Sequence, residues 1–503
     1  MNKHTNTATN AYLKPIIGNH RNIYAIVTRI SFILVFALAL IVCLTPYISV
    51  QATDSLVIEA EMKLLKPGQK VKLSISWQNI DASLDSGNKA SSNSDYTNSE
   101  STPAPTIKKI TWTSGNTDIA TVTKKGKVTA ISDGKVYIAA NVTYLNPENG
   151  KTKTKKCKIR LTVESEKTVT LAAVGDALIH ENILKSGQKK DGSYNYDHIF
   201  ENMTDYLSNF DVKIINQETI FVYDSKKFAG YPSFGTPKEL GDAMRNAGFN
   251  VVTCATNHAY DRGAVGIQNT LDYWKKYKDS VLVTGIYGSQ EDYDTLSIRE
   301  YNGIKIAFLN YTTLINSGAK REPYYIRYYK ESAALKEIKE AKKKADFVIV
   351  LPHWGIEYEH EPSEEQEKMA KKYAEAGADA IIGCHPHVVQ PMKIIKTSDG
   401  RRVPCYYSLG NFVSNMFWFK CQLEGLAELT ITKWNGVTKL ANAEYTPIVN
   451  HMNKDDSRFT VYLLSDYTGD LYKDHYMNHR YWMGDVTPER LKSLFKSIGN
   501  DKW

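Results

Sequence analysis

The sequence predicts a chain with an α/β core preceded by a small all-β domain, and three observations predict it. Between Thr168 and about Asn450, apolar strand-like runs alternate with helix-like stretches, the pattern of sheets flanked by helices. Five of those runs end in His, Asp, Glu or Asn, so polar groups gather on one rim. Ahead of them, residues 54–165 carry short period-two alternations bounded by Gly and Asn turns, as in an antiparallel sandwich.

In chain order, residues 1–30 hold Lys3, Lys14, Arg21 and Arg29 and no acid, and Ser31–Ser49 is uncharged. This reads as a membrane-targeting helix that leaves its N-terminus in the cytoplasm and exports the rest of the chain. The run is long enough to span a bilayer, and Pro46 followed by Val50, Gln51 and Ala52 resembles a cleavage site. The expectation is a protein on the extracellular face of the membrane, anchored through residues 1–52 or secreted if cut after Ala52. The four basic residues of this tail supply half of the net charge of +8. The rest is too evenly balanced for a nucleic-acid-binding face, so no nucleic acid partner is expected.

Residues 53–166 form the next predicted unit, with strand candidates Val71–Trp77, Lys109–Trp112, Val136–Val142 and Cys157–Val163. Residues 81–105 are rich in Ser, Asn and Asp and predict a disordered insert. From Ile110, the Trp112 strand, the SGNTDIATV turn and strand, the GKV hairpin and the AISDG turn come in order. That string resembles the bacterial immunoglobulin-like domain of group 2, and spacing the next domain from the membrane is its expected role.

The α/β domain is placed at 167–450, with helices expected at Lys238–Ala247, Ala264–Tyr277, Ser332–Ala345 and Glu364–Ala376. Its apolar runs deliver Asp176 and His180, Asn216 and Glu218, Asn257 and His258, His353, and His385 with His387. Such mixed nitrogen and oxygen donors suit a divalent transition metal, one or two ions of Mn, Zn or Fe. No CxxC pair exists, which excludes a zinc ribbon and a thioredoxin-type site. The cysteines are expected as buried free thiols, with a Cys405–Cys421 disulfide as the alternative. Arg262, Glu357, Tyr358 and Asn411 are candidate substrate contacts, each with a structural alternative, and Asn216 is a further candidate contact. Residues 451–503 carry no motif and are set apart as a C-terminal extension.

Taken together, the GD at Gly175–Asp176, NQE at Asn216–Glu218, NHAYDRGAVGIQNT from Asn257, HWGIEY from His353, GCHPHVVQ from Gly383 and SLGNF from Ser408 resemble the CapA-type proteins of capsule and poly-γ-glutamate synthesis, relatives of the calcineurin-like metallophosphoesterases. The resemblance implies a four-layer α-β-β-α sandwich with a dinuclear metal centre. It implies Asp176, His180 and His387 at one ion, Asn257, His353 and His385 at the other, and Glu218 bridging. It also implies His258 as a general acid, with Asp261 beside it in the catalytic set. Two positions depart from the phosphoesterase pattern: Asp176 and His180 are not spaced as Asp-x-His, and Glu218 stands where an Asp is usual.

Two functions are expected from these readings. One is an extracytoplasmic hydrolase in capsule or poly-γ-glutamate synthesis or release, using a metal-activated hydroxide on an anionic envelope polymer. The other is a non-catalytic, metal-stabilised or polymer-binding component of a membrane polymer synthase complex, with synthase subunits as partners.

Overall fold

The computed structural model describes residues 53–80, 104–480 and 484–503. The predicted targeting segment and nearly all of the insert lie outside the described residues. Among the described residues no helix is long and apolar enough to cross a membrane. The chain divides into two compact units between Thr162 and Val163.

The first unit is all β. One sheet orders Thr53–Ala60, Lys70–Ile80, Lys127–Ala130 and Ala120–Val122, and the other orders Leu64–Leu65, Thr152–Val163, Gly134–Leu145 and Thr106–Ser114. Alternation decides which side chains face in: Val136, Ile138, Ala140 and Val142 are buried while Lys135, Tyr137 and Asn141 between them are exposed. Each predicted strand in this unit is present and longer than its apolar run, because the polar ends pair through their backbones.

The second unit is built on two stacked sheets. The first orders Leu282–Thr284, Val251–Thr253, Val212–Gln217 and Lys167–Ala177 in parallel, then Leu423–Trp434, Val437–Met452 and Phe459–Leu463 antiparallel, while Asn411–Val413 pairs with the end of Lys167–Ala177. The second sheet has four parallel strands, Ile304–Thr312, Phe347–His353, Ala380–Ile382 and Arg402–Tyr406, edged by Ile298–Tyr301 and Met392–Lys396.

Three apolar cores correspond to the three interfaces of an α-β-β-α stack. Between the sheets, Leu171, Val212 and Ile214 meet Ile306, Phe308, Ile349 and Leu351. Phe200, Leu240, Ile267 and Trp274 join helices to the first sheet, and Ile338, Met369, Ala370 and Tyr373 join helices to the second. Phe347–His353 is buried over its whole length, which is why it reads as a continuous apolar run rather than an alternation.

The helices fall where the periodicity places them, at Glu239–Asn246, Gly263–Lys275, Glu331–Lys344 and Glu364–Ala376. The last starts on a capping box in which Ser363 and Gln366 satisfy each other's backbone N–H groups. Gln366 also donates to Gln390 Oε1 at 2.8 Å, tying the helix start to the loop that carries His387.

The boundary expected after Asn450 falls inside a strand, Val437–Met452, and the last fifty residues belong to the same body. Phe459 and Val461 extend the first sheet, and Leu464, Tyr467, Met477, Val486 and Leu491 are buried in its core. The polar hairpin around Asn453–Arg458 interrupts the apolar pattern there and hides this continuity from a local reading.

Candidate metal centre

The centre forms because neighbouring strands end in register. Asn216 lies beside Asp176 on one side and Thr253 on the other, and Asn411 lies beside Asp176 from the opposite edge. Across the gap between the sheets, His353 closes its strand and bridges Cys384, just ahead of His385. The loop from His385 to His387 holds both histidines at positive φ, 102° and 57°. This is a region that costs a non-glycine residue about 1–2 kcal/mol, so surrounding bonds must hold the loop in place.

Asp176, Glu218 and His387 present one ligand atom each within 4.8 Å of one another, and Glu357, His385 and His387 do the same. The two groups share His387. His353 Nδ1 lies 3.8 Å from Asp176 Oδ1, and its Nε2 lies 3.8 Å from Glu218 Oε1 and 2.7 Å from Asn257 Oδ1. Asp176, Glu218, Asn257, His353, His385 and His387 are thus brought together as the sequence suggested.

A divalent cation fits these residues on one observation. Both carboxylate oxygens of Glu218 and Nδ1 of His385 are buried with no hydrogen-bond partner, and such groups are normally satisfied by a donor or a cation. Burial and the neighbouring Asp176 push the Glu218 carboxyl well above its usual range. Burial alone would depress His387, but Glu218 and Asp176 override it and raise the imidazole to about 9. Burial and the other imidazoles lower His385 to about 3 and His353 well below its ordinary value. The pocket therefore favours neutral imidazole at His353 and His385, while the carboxylates beside His387 favour a positive charge there.

Hydrogen bonds around the centre fix which ring nitrogens are free. Asn411 Nδ2 donates to His387 O at 3.3 Å and lies 3.4 Å from Glu424 Oε1, so its Oδ1, at 2.9 Å, accepts from His387 Nδ1. This leaves the lone pair of His387 on Nε2, on the Glu218 side. Glu424 is a buried carboxyl that the sequence reading missed. It accepts from Asn411 N at 2.6 Å, and its burial raises it well above the carboxylate range. Nothing in its apolar strand Leu423–Trp434 marks it except an acid where the alternation demands an inward residue.

The other candidate residues take the following places. His180 stands outside both ligand groups: it sits at the residue before the helix Glu181–Ser186 without a side-chain capping bond, and its Nδ1 accepts from Asn415 N at 3.2 Å. The three residues after Asp176 carry it past the strand end. Asn216, expected at substrate, is buried and donates to Asp176 Oδ1 at 2.5 Å while Thr253 Oγ1 donates to its own Oδ1 at 2.7 Å, so it orients a ligand. Asn411 is likewise buried and orients His387. Arg262 donates Nε to Phe234 O at 3.0 Å and Nη2 to Ser233 O at 2.7 Å, so it pins a loop. Glu357, read as a substrate contact, joins the second ligand group as its exposed member.

Tyr358 stays at the mouth. Its ring is 6.0 Å from that of His387 and edge-on to the exposed Trp418 at 4.3 Å.

His258 and Asp261 form a dyad beside the ligands. Asp261 Oδ2 accepts from Phe234 N at 2.8 Å and from His258 Nδ1 at 2.7 Å, which turns His258 Nε2 toward Asn316 Nδ2 at 3.3 Å. Asp261 thus fixes the orientation of the His258 ring and leaves Nε2 as its outward-facing nitrogen. Asn316 was not legible in the sequence, because it arrives on a long irregular loop. Its backbone N–H donates to Asn257 O at 2.9 Å.

Fold and site together define a class: a two-sheet α/β protein whose strand ends hold a buried carboxylate–imidazole centre suited to divalent metal. Residues 170–416 match the family described as bacterial capsule synthesis protein PGA_cap, and residues 78–154 match the bacterial Ig-like domain, group 2. The chain is 30% identical over 307 residues to the PGA biosynthesis protein CapA of Bacillus subtilis, covering 60% of this chain and 76% of that one. It is 32% identical over 277 residues to the capsule biosynthesis protein CapA of Bacillus anthracis, covering 53% and 64%.

The chain belongs to the bacterial capsule synthesis family, as a CapA-type protein that carries an Ig-like domain. Among solved structures it is similar to a calcineurin-like phosphoesterase from Bacillus subtilis, at 14% identity and a TM-score of 0.35, over 65% of this chain and 99% of that one. A hypothetical protein from Thermus thermophilus is similar at 14% identity and a TM-score of 0.33, over 55% and 98%.

Proposed function

We propose that this protein is a metal-dependent hydrolase acting on an anionic cell-envelope polymer, within the capsule or poly-γ-glutamate biosynthesis role of its family. The observation that carries the proposal is Glu218, a fully buried carboxylate without a donor, within reach of Asp176, His353 and His387. Ionising a buried carboxyl of this kind costs several kcal/mol, and a bound cation would offset that cost. Asp176, Glu218 and His387 would hold one ion, with His353, Asn257, His385 and Glu357 available to it or to a second. The metal would supply Lewis acidity, neutralising charge at the attacked centre and acidifying water.

The chain's own residues do the rest. Asn216 and Asn411 hold Asp176 and His387 in place. His258, 5% exposed at the edge of the centre and fixed by Asp261, delivers a proton to the leaving atom. Protonation speeds the departure of a poor leaving group such as an alkoxide or an amine. Tyr358 and Trp418 wall one side of the mouth, and Phe234, edge-on to His258 at 4.6 Å, walls the other.

Metal analysis of the purified protein, followed by turnover on phosphoester and γ-glutamyl substrates, tests the reading. His258→Asn is expected to retain metal and lose about 10²–10⁴-fold in turnover. His387→Ala is expected to lose both. Metal-dependent thermal stability without any turnover, or unchanged polymer production in cells carrying His258→Asn, would assign the centre a structural role instead. The exported topology and the envelope location are part of the same proposal and are tested by protease accessibility in intact cells.

A further inference from the structure

The outer flank of the second sheet carries another concavity, which shares no residue with the metal centre. Helices Glu331–Lys344 and Glu364–Ala376 pack beside each other there. Along their exposed faces run two adjoining clefts of about 400 and 670 Å³ that share Leu335, Lys339 and Ala376. The walls hold seven lysines and two glutamates. Four of the lysines are paired with carboxylates, and Glu375 is taken by the backbone and hydroxyl of Ser398. Lys336, Lys339 and Lys371 enter no ion pair among the described residues, and all three are exposed.

We propose that this groove binds a linear polycarboxylate, an extended chain whose acidic groups meet Lys336, Lys339 and Lys371 while its methylene spacers lie over Leu335 and Ala376. The proposal rests on the reading that the protein handles an anionic polymer, and it places part of that polymer away from the reacting centre. Two features select this occupant. The floor is apolar and the rim cationic, which suits a chain alternating hydrocarbon and charge. Every cation lining the groove is Lys: ammonium groups attract carboxylates as point charges, without the bidentate fork by which Arg fixes them. A chain held this way stays free to advance, as a polymer being made or released must.

The test compares the full-length protein with the triple variant Lys336→Glu, Lys339→Glu and Lys371→Glu, using fluorescently labelled poly-γ-glutamate and anisotropy. Wild type is expected to bind with an affinity that falls as salt rises, and the variant to bind at least about tenfold more weakly with a shallower salt dependence. Melting temperature and metal content serve as folding controls. If charge reversal lowers either, the milder Lys336→Gln, Lys339→Gln and Lys371→Gln set is expected to show the same direction of loss.

Equal affinity of wild type and folded variant overturns the proposal. So does binding to phosphatidylglycerol vesicles, but not to polymer, that the variant abolishes, which would make the face a membrane contact. The catalytic reading fails separately: His258→Asn with unchanged polymer production sinks the hydrolase and leaves groove binding intact.

Discussion

Gly410 is the tightest residue of the centre. Its φ is +72°, and a Cβ there would sit 1.9 Å from Glu424 Oε2. Gly436 has nearly the same φ, +70°, with open space around it. Gly410→Ala is therefore expected to cost about 2–5 kcal/mol from strain plus overpacking, and Gly436→Ala only about 1 kcal/mol. Chemical denaturation of the two variants checks the difference. Asn411→Ala removes the acceptor that holds His387 Nδ1 and is expected to lower metal affinity about 10–100-fold. Competition with a chromophoric chelator measures it. If affinity is unchanged, Asn411 does not set the His387 tautomer.

At the scale of elements, the C-terminal segment is sealed by two buried histidines. His451 Nδ1 lies 2.8 Å from Tyr467 OH, and His475 Nδ1 accepts from Met477 N at 3.2 Å. Burial lowers His451 to about 4 and His475 to about 3. An unfolded chain binds these protons near pH 6.5 and the folded chain resists them. The stability they contribute is therefore present above about pH 6.5 and lost as pH falls toward 4 and 3, at about 1.4 kcal/mol per pH unit for each. Urea midpoints between pH 7 and 4.5 are expected to fall, and to fall less steeply in His451→Gln. An equally steep fall in that variant would place the acid sensitivity elsewhere.

The same segment shows why elements were easier to read than the contacts between them. The helix Glu364–Ala376 announced itself by composition. The strand Phe459–Leu463 is five residues long, and its burial depends on a partner, Val437–Met452, whose register local sequence does not specify.

For the whole molecule, the three apolar cores of the second unit are built from Val169 onward and reach Trp503. Truncation after Met452 would strip Phe459, Val461, Leu464 and Leu491 from the first of them and leave Val449 and Met452 uncovered. That truncation is expected to abolish soluble, cooperatively folding protein, whereas deletion of residues 53–162 removes nothing from these cores and should leave a folded second unit. Expression followed by calorimetry of both shortened proteins distinguishes the outcomes.

The information the sequence determined by itself was local. Apolar runs set the strands, amphipathic stretches set the helices, and polar residues at the strand ends marked the candidate ligands Asp176, Glu218, Asn257, His353, His385 and His387. A strand buried on both faces must be apolar to its last residue, so a His or Asp there stands out. The tertiary structure decided which of those ends meet and what each polar group then does. Asn216 and Asn411 turned from substrate contacts into supports, His180 fell at the residue before a helix, and Glu357 became a neighbour of His385. Glu424 emerged beneath the centre. Partners such as His385 and Asp176, 209 residues apart, are set by sheet order and register, which no short stretch of chain encodes.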